Sequence, residues 1–343
     1  MTGRDTPVLS VEGLCTDFHT HAGVVHAVDD VSFSVGPGEI LGLVGESGCG
    51  KSVTSLSVMG LVAPPGRVAA GKAVLAGHGD LLQRSANEMH AIRGDAIAMI
   101  FQEPMTSLNP VFRIGAQIAE AFRLHRRASR AEAMERAIDM LALVGIPEPA
   151  KRARSYPHQL SGGMRQRVMI AMAMVCDPEL LLADEPTTAL DVTVQAQILD
   201  LMRDLQAEKG SAILLITHDM GVIAETAKRV AVMYAGKVVE EAPVEALFAE
   251  AAHPYTRGLL SSIPSGQARG KPLNVIAGLV PNLLHLPTGC RFRARCPMAF
   301  GRCAEAEPPL TEVAPGHKAR CWLHGDSAAA PDGPGSAAER VEA

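Results

Sequence analysis

Apolar and polar positions alternate from about Val8 to Val35, most clearly in Val28-Asp29-Asp30-Val31-Ser32-Phe33, and this predicts strand with one covered face. The turn Gly36-Pro37-Gly38 ends the stretch. The run Ile40–Val44 is apolar throughout, as in a parallel-sheet strand buried on both faces, and Lys51–Leu61 predicts a helix. From about Ser85 to Pro157 the spacing becomes mainly helical, with Arg130–Val144 the clearest piece and Pro104, Pro110, Pro147 and Pro149 dividing the rest. Strand signals return at Leu180–Ala183 and Ala212–Ile216, each followed by a polar cluster. Strands alternating with helices predict an α/β fold with a parallel-sheet core, a helical insert over about 85–165, and ligand at the carboxyl ends of the strands.

Pro264–Pro272, rich in Gly, Ser and charge, reads as a linker. It separates a main domain, 8–263, from a Pro- and Cys-rich segment, 264–325, and the Ala/Pro/Gly/Glu-rich stretch 326–343 reads as a disordered tail. Apolar residues make up 47 % and aromatics 3 %, so the expected core is aliphatic. The net charge of −5, without a strongly basic stretch, argues against nucleic acid as the partner. No apolar run approaches the roughly 18–20 residues that span a bilayer. The start Met1 to Pro7 lacks the apolar core of a signal peptide, so a cytosolic protein is expected.

Gly45-Glu46-Ser47-Gly48-Cys49-Gly50-Lys51-Ser52 fits G-x-x-x-x-G-K-S between a predicted strand and a predicted helix. Glycines let the backbone curl so that several N–H groups point at phosphate oxygens, and the helix N-terminus adds partial positive charge. Lys51 then supplies a full charge to the β- and γ-phosphates, and the Ser52 hydroxyl is placed for Mg²⁺. The strand Leu180–Ala183 ends in Asp184 and Glu185. Asp184 is placed to hold Mg²⁺ directly or through water, and Glu185 to orient and deprotonate an attacking water.

Leu160-Ser161-Gly162-Gly163-Met164-Arg165-Gln166 resembles the signature motif of ABC ATPases, with Met164 where glutamine is commoner. Gln102 after Met99-Ile100-Phe101 resembles that family's glutamine loop, Ala189-Leu190-Asp191 its D-loop, and His218 after Leu214-Leu215-Ile216 its switch histidine. The resemblance spans about residues 8–325. It implies a P-loop ABC ATPase with an antiparallel β subdomain and a small Cys-rich C-terminal lobe. Gln102 would contact Mg²⁺ and water, and His218 the γ-phosphate. Ser161, Gly162 and Gly163 would bind the ATP held by a partner ATPase, so hydrolysis would need a dimer. The family stacks adenine on an aromatic residue upstream of the phosphate loop. Ala22 precedes Gly23 here, and Phe18, His19 and His21 remain the alternatives.

Four stretches resemble the dipeptide/oligopeptide importers, nearest their D-type subunit: Phe101–Pro110, Tyr156–Met164, Glu185–Thr193 and His253-Pro254-Tyr255-Thr256. The resemblance implies a peripheral protein on the cytoplasmic face of the inner membrane, paired with an F-type ATPase or itself. Two permeases and an extracytoplasmic solute-binding protein would complete the complex. Nickel importers share this branch, so peptide cargo is expected with nickel or another small solute as the alternative. A soluble ABC ATPase of translation or repair is disfavoured, because neither a second cassette nor a long coiled coil is present.

Cys290, Cys296, Cys303 and Cys321 are spaced C-x5-C-x6-C-x17-C, whereas Cys15, Cys49 and Cys176 are scattered. Four thiolates in a reducing compartment suit zinc or an iron–sulfur cluster, although the tight C-x2-C pairs of zinc ribbons are missing. Free thiols in a small core are the third reading. Arg291, Arg293, Arg295 and Arg302 offer positive charge around them. The stretches Leu286–Cys290 and Arg295-Cys296-Pro297 resemble the peptide-importer C-terminal domain, which implies a [4Fe–4S] cluster on the four cysteines.

Overall fold

The computed structural model describes residues 6–102, 107–188, 190–263 and 275–324. The alternating N-terminal stretch forms a hairpin, β1 (Leu9–Thr20) with β2 (Gly23–Val35), closing at Thr20↔Gly23. β3 (Ile40–Val44) leads through the glycine loop into α1 (Lys51–Val58). β4 (Gly66–Leu75) pairs with β1 and β5 (Gly79–Asp80) with β4, which gives a four-stranded antiparallel sheet in the order β2-β1-β4-β5. Its inward residues Leu9, Val11, Leu14, Val31 and Phe33 share a core with Leu41 and Leu43 of β3.

The stretch expected to be helical over 85–165 begins with α2 (Ala86–Ile92), which a Ser85–Glu88 capping box starts. It then holds a strand, β6 (Ile97–Ile100). Four residues carry too little periodicity to be separated from helix in sequence, and parallel pairing with the next strand decides the matter. Beyond Gln102 come α3 (Ile114–Arg126), α4 (Arg130–Leu143), α5 (Pro149–Arg152) and α6 (Gly162–Met174). Ile114, Ile118, Ala137, Met140, Leu141 and Val168 bury their side chains in one aliphatic cluster among these helices.

The chain continues through β7 (Leu180–Asp184), α7 (Val192–Lys209), β8 (Ala212–Thr217), α8 (Met220–Thr226), β9 (Arg229–Tyr234) and β10 (Lys237–Pro243). α9 (Val244–Ala249), α10 (Pro254–Ser261), α11 (Arg302–Glu305), β11 (Thr311–Ala314) and β12 (His317–Ala319) complete it. The second sheet has eight strands in the order β11-β12-β10-β9-β3-β8-β7-β6. β9, β3, β8, β7 and β6 run parallel there, and β10, β12 and β11 antiparallel.

The hairpin β11–β12 of the Cys-rich segment extends the main sheet by pairing with β10. β10 would otherwise be an unpaired edge. A buried carboxylate stitches this junction: Glu240, with no exposure, accepts from the N–H groups of Ala252 (2.6 Å) and His253 (3.0 Å) and faces His317 Nε2 at 2.7 Å. The expected linker and the expected tail lie outside the described residues.

Candidate nucleotide site

Gly45–Ser52 joins the carboxyl end of β3 to α1. Gly45 (φ 154°) and Gly50 (φ 107°) hold backbone angles that side chains resist, and space excludes a side chain as well. A Cβ on Gly45 would lie 2.2 Å from the Met233 carbonyl oxygen, and one on Gly50 2.4 Å from that of Ala27. Lys51 curls back over the loop, its Nζ donating to the carbonyls of Gly45 (2.8 Å) and Glu46 (3.2 Å). The Cys49 side chain is buried, and burial pushes its thiol above the usual range against the opposing pull of Lys51. It acts as packing, not as a reactive thiol.

Ser52 Oγ donates to Asp184 Oδ1 at 3.0 Å. Burial raises the Asp184 carboxyl above its ordinary range and the Ser52 hydrogen bond opposes this. A hydroxyl and a carboxylate meeting at the phosphate loop are hard oxygen donors of the type Mg²⁺ takes, so these two residues fit that ion.

Neighbouring parallel strands bring the other candidates together. Ile100 pairs with Ala183 and Asp184 with Ile216, so the residues just past β6, β7 and β8 emerge side by side. Glu185 Oε2 accepts from Gln102 Nε2 (3.2 Å) and from Thr188 Oγ1 (2.9 Å), while Oε1 lies 3.3 Å from His218 Nδ1. The Glu185 backbone is left-handed (φ 46°), a costly angle for this residue type, and its N–H is anchored on the Ile216 carbonyl at 2.9 Å. A cavity of about 160 Å³ opens here, lined among others by Ala27, Ser47, Gly48, Lys51, Gln102 and Glu185.

Ser161 and Gly162 are exposed and do not line that cavity. Ser161 Oγ caps α6 by accepting from the Met164 N–H at 3.3 Å. None of Phe18, His19, His21 and Ala22 lines the cavity; its β2 wall is Ala27.

Three contacts were not legible beforehand. Thr188 holds the Glu185 carboxylate. Tyr255 Oη accepts from the Glu46 N–H at 2.9 Å, and Arg295 reaches both Glu46 carboxylate oxygens at 2.6 and 2.9 Å. His253–Thr256 stands out in sequence only as a branch marker, and Arg295 only as charge near cysteines and part of a family-like stretch, because neither shows in sequence what lies opposite it.

The four clustered cysteines do approach one another. Burial raises the Cys290 and Cys321 thiols to about 11 and also raises Cys296, and the negative charges of neighbouring cysteines add to each shift. Cys290 donates its N–H to the Cys303 carbonyl at 2.8 Å. The donor chemistry suits iron–sulfur or zinc, but among the described residues no three His, Cys, Asp or Glu side chains form a group that would hold a metal ion. The geometry thus does not supply the expected cluster or zinc site as it stands.

Loop, carboxylate pair and convergent glutamine and histidine define a P-loop ATPase cassette. Residues 28–188 match the ABC transporter family, and 239–303 match the oligopeptide/dipeptide transporter C-terminal region. A "Probable peptide ABC transporter ATP-binding protein" of Sinorhizobium fredii is 54 % identical over 316 residues, covering 92 % of this chain and 94 % of that one. The dipeptide transport ATP-binding protein DppD of Escherichia coli is 48 % identical over 324 residues, covering 94 % and 99 %. The ATP-binding cassette MJ0796, solved as a dimer in a post-hydrolysis state with ADP and Pi, superposes with a TM-score of 0.62 at 26 % identity over 69 % of this chain and 98 % of that one. The chain belongs to the ATP-binding subunits of ABC transporters, in the oligopeptide/dipeptide branch, a class of ATPase coupled to transport. Among the described residues no helix is long and apolar enough to cross a membrane.

Proposed function

We propose that this protein hydrolyses ATP to energise import of di- or oligopeptides, docked on the cytoplasmic face of the inner membrane. The convergence of Gln102, Glu185 and His218 beside the Ser52–Asp184 pair carries the reading. The loop N–H groups and Lys51 bind the β- and γ-phosphates, and Ser52, Asp184 and Gln102 are the residues that would hold Mg²⁺. When bound there, Mg²⁺ would supply positive charge against the phosphates. Glu185 takes the proton of the attacking water as its oxygen bonds to the γ-phosphorus and the bond to the β–γ bridging oxygen breaks. His218 and Gln102 keep the Glu185 carboxylate aimed.

Ser161–Gly163 face outward and serve a partner's ATP, so the working unit is a dimer with an F-type ATPase or a second copy. Each ATPase of the pair receives one of two permeases, here at the groove of about 290 Å³ between β6 and the helices, lined by Met99, Phe101, Ala121, Met172 and Ala173 among others. Peptide cargo is supported by the names of the relatives and delivered by an extracytoplasmic binding protein. Residues 8–263 act as the ATPase domain and 264–325 as the C-terminal domain. The resemblance of Leu286–Cys290 and Arg295–Pro297 to the peptide-importer C-terminal domain supports a [4Fe–4S] cluster on Cys290, Cys296, Cys303 and Cys321, with zinc as the alternative metal, although the described geometry does not preform that site. Anaerobic protein with neither bound iron nor absorbance near 400 nm would remove the cluster.

Glu185→Gln tests the central claim. Turnover should fall at least 100-fold while ATP still binds; hydrolysis at the normal rate would exclude Glu185 as the base. In cells, uptake of a labelled dipeptide should be lost with the variant, whereas loss of nickel uptake alone would reassign the cargo.

A further inference from the structure

The loop between Cys290 and Cys296 carries three arginines, and two of them, Arg291 and Arg295, end on residues close in sequence to the lining of the nucleotide cavity. Arg291 donates to the Asp29 carboxylate and to the Ala235 carbonyl at 2.5 Å, and Asp29 follows closely on the cavity residue Ala27 in β2. Arg295 makes a two-point bond to Glu46 inside the phosphate loop, at 2.6 and 2.9 Å. Its side chain is 5 % exposed and its guanidinium lies 5.8 and 5.9 Å from the ring centres of Tyr234 and Phe292. It also donates to the carbonyls of Ala277 (3.0 Å) and Ile276 (3.2 Å).

A cation this far from water needs an anionic partner held in place, and Glu46 is the carboxylate the structure supplies. Glu46 is in turn fixed three ways: its carboxylate by Arg295, its N–H by Tyr255 Oη, and its carbonyl by Lys51 Nζ. Two of these three come from the C-terminal part of the chain. A glycine-rich loop has much backbone freedom to lose when it closes on phosphate, and bracing it beforehand removes that cost from binding.

We propose that the 290–296 loop is a strut for the phosphate loop, with Arg295 as a positioning residue, so that the C-terminal segment sets the affinity for ATP. This rests on the reading of Gly45–Ser52 as the nucleotide site. The test is calorimetric titration of the full-length chain with MgATP, in a Glu185→Gln background that halts turnover, alongside KM and kcat in the wild-type background. Arg295→Gln and Glu46→Gln should each weaken binding about tenfold and raise KM by a similar factor; for Arg295→Gln, which lies outside the phosphate loop, kcat at saturation should stay within about twofold. The double variant should bind no worse than the weaker single one, since both remove the same bond. Arg295→Lys should recover part of the loss, as one charge without the two-point fork.

Wild-type affinity in Arg295→Gln, or losses that multiply in the double variant, would overturn the strut. Where Arg295→Gln does not fold, Arg295→Lys decides: about threefold weaker binding is expected, and an unchanged Kd overturns the proposal. Lys51→Ala separates the two layers. Abolished binding in Lys51→Ala beside unaltered binding in Arg295→Gln sinks only the strut, whereas intact binding in Lys51→Ala sinks the site reading under it.

Discussion

Ser52 Oγ and Asp184 Oδ1 meet at 3.0 Å across 132 residues of chain, and this bond ties the start of α1 to the end of β7. Ser52→Ala removes one oxygen ligand for Mg²⁺ and leaves the buried Asp184 carboxyl without its donor. Mg²⁺-dependent hydrolysis should drop about 100-fold, and stability by about 1–2 kcal/mol. Steady-state kinetics against Mg²⁺ concentration and urea unfolding check the two halves separately. A variant with normal Mg²⁺ dependence would remove Ser52 from the metal site.

Gly45→Ala should be more damaging than its size suggests. The methyl would enter the space of the Met233 carbonyl at 2.2 Å, from a backbone angle that already disfavours a side chain. Nucleotide binding should be lost at concentrations that saturate the wild type, with about 2–4 kcal/mol of stability lost. Equilibrium binding and thermal melting report both.

Ser161→Arg should block hydrolysis while leaving the isolated chain's ATP affinity unchanged, because Ser161 does not line its own cavity. Mixing it with Lys51→Ala protein should restore part of the activity if the chain pairs with itself, since each mixed dimer then holds one intact composite site. Absence of restoration identifies a different ATPase as the partner.

His253 is 2 % exposed and caps α10 by accepting the Tyr255 N–H at 3.0 Å. Burial, with smaller contributions from His324 and Arg257, lowers its pKa from 6.5 to about 3. The unfolded chain therefore binds this proton and the folded chain does not, so the stabilisation is complete above about pH 6.5 and is lost as pH falls toward 3. Between pH 7 and 4.5 this group alone should cost about 2–3 kcal/mol. His253→Asn keeps a capping acceptor without titrating, and its unfolding free energy should fall with acid by that much less. Parallel pH profiles for the two proteins would show His253 to be unimportant.

Part of this site was readable because its signals are local. The glycines, Lys51 and Ser52 are consecutive, and Asp184 and Glu185 close an apolar run whose strand character shows directly. β6 was absorbed into a helical stretch because four residues cannot show a period and its β7 partner begins about eighty residues later. The pairing of β12 with β10 likewise does not show in composition, because the two strands lie far apart in sequence.

The chain's residues alone singled out the candidates: a phosphate-loop pattern, an acidic pair closing an apolar strand and a serine in a signature-like stretch, each written in a short contiguous pattern. Only the tertiary structure decided how they are held. Parallel register set Gln102, Glu185 and His218 around one another, while α10 put Tyr255 and the 290–296 loop put Arg295 against Glu46. Backbone turns and periods depend on neighbours in sequence, so they can be read there. The partner of a buried charge depends on which distant surfaces the core brings into contact, and for Arg295 that is the phosphate loop itself.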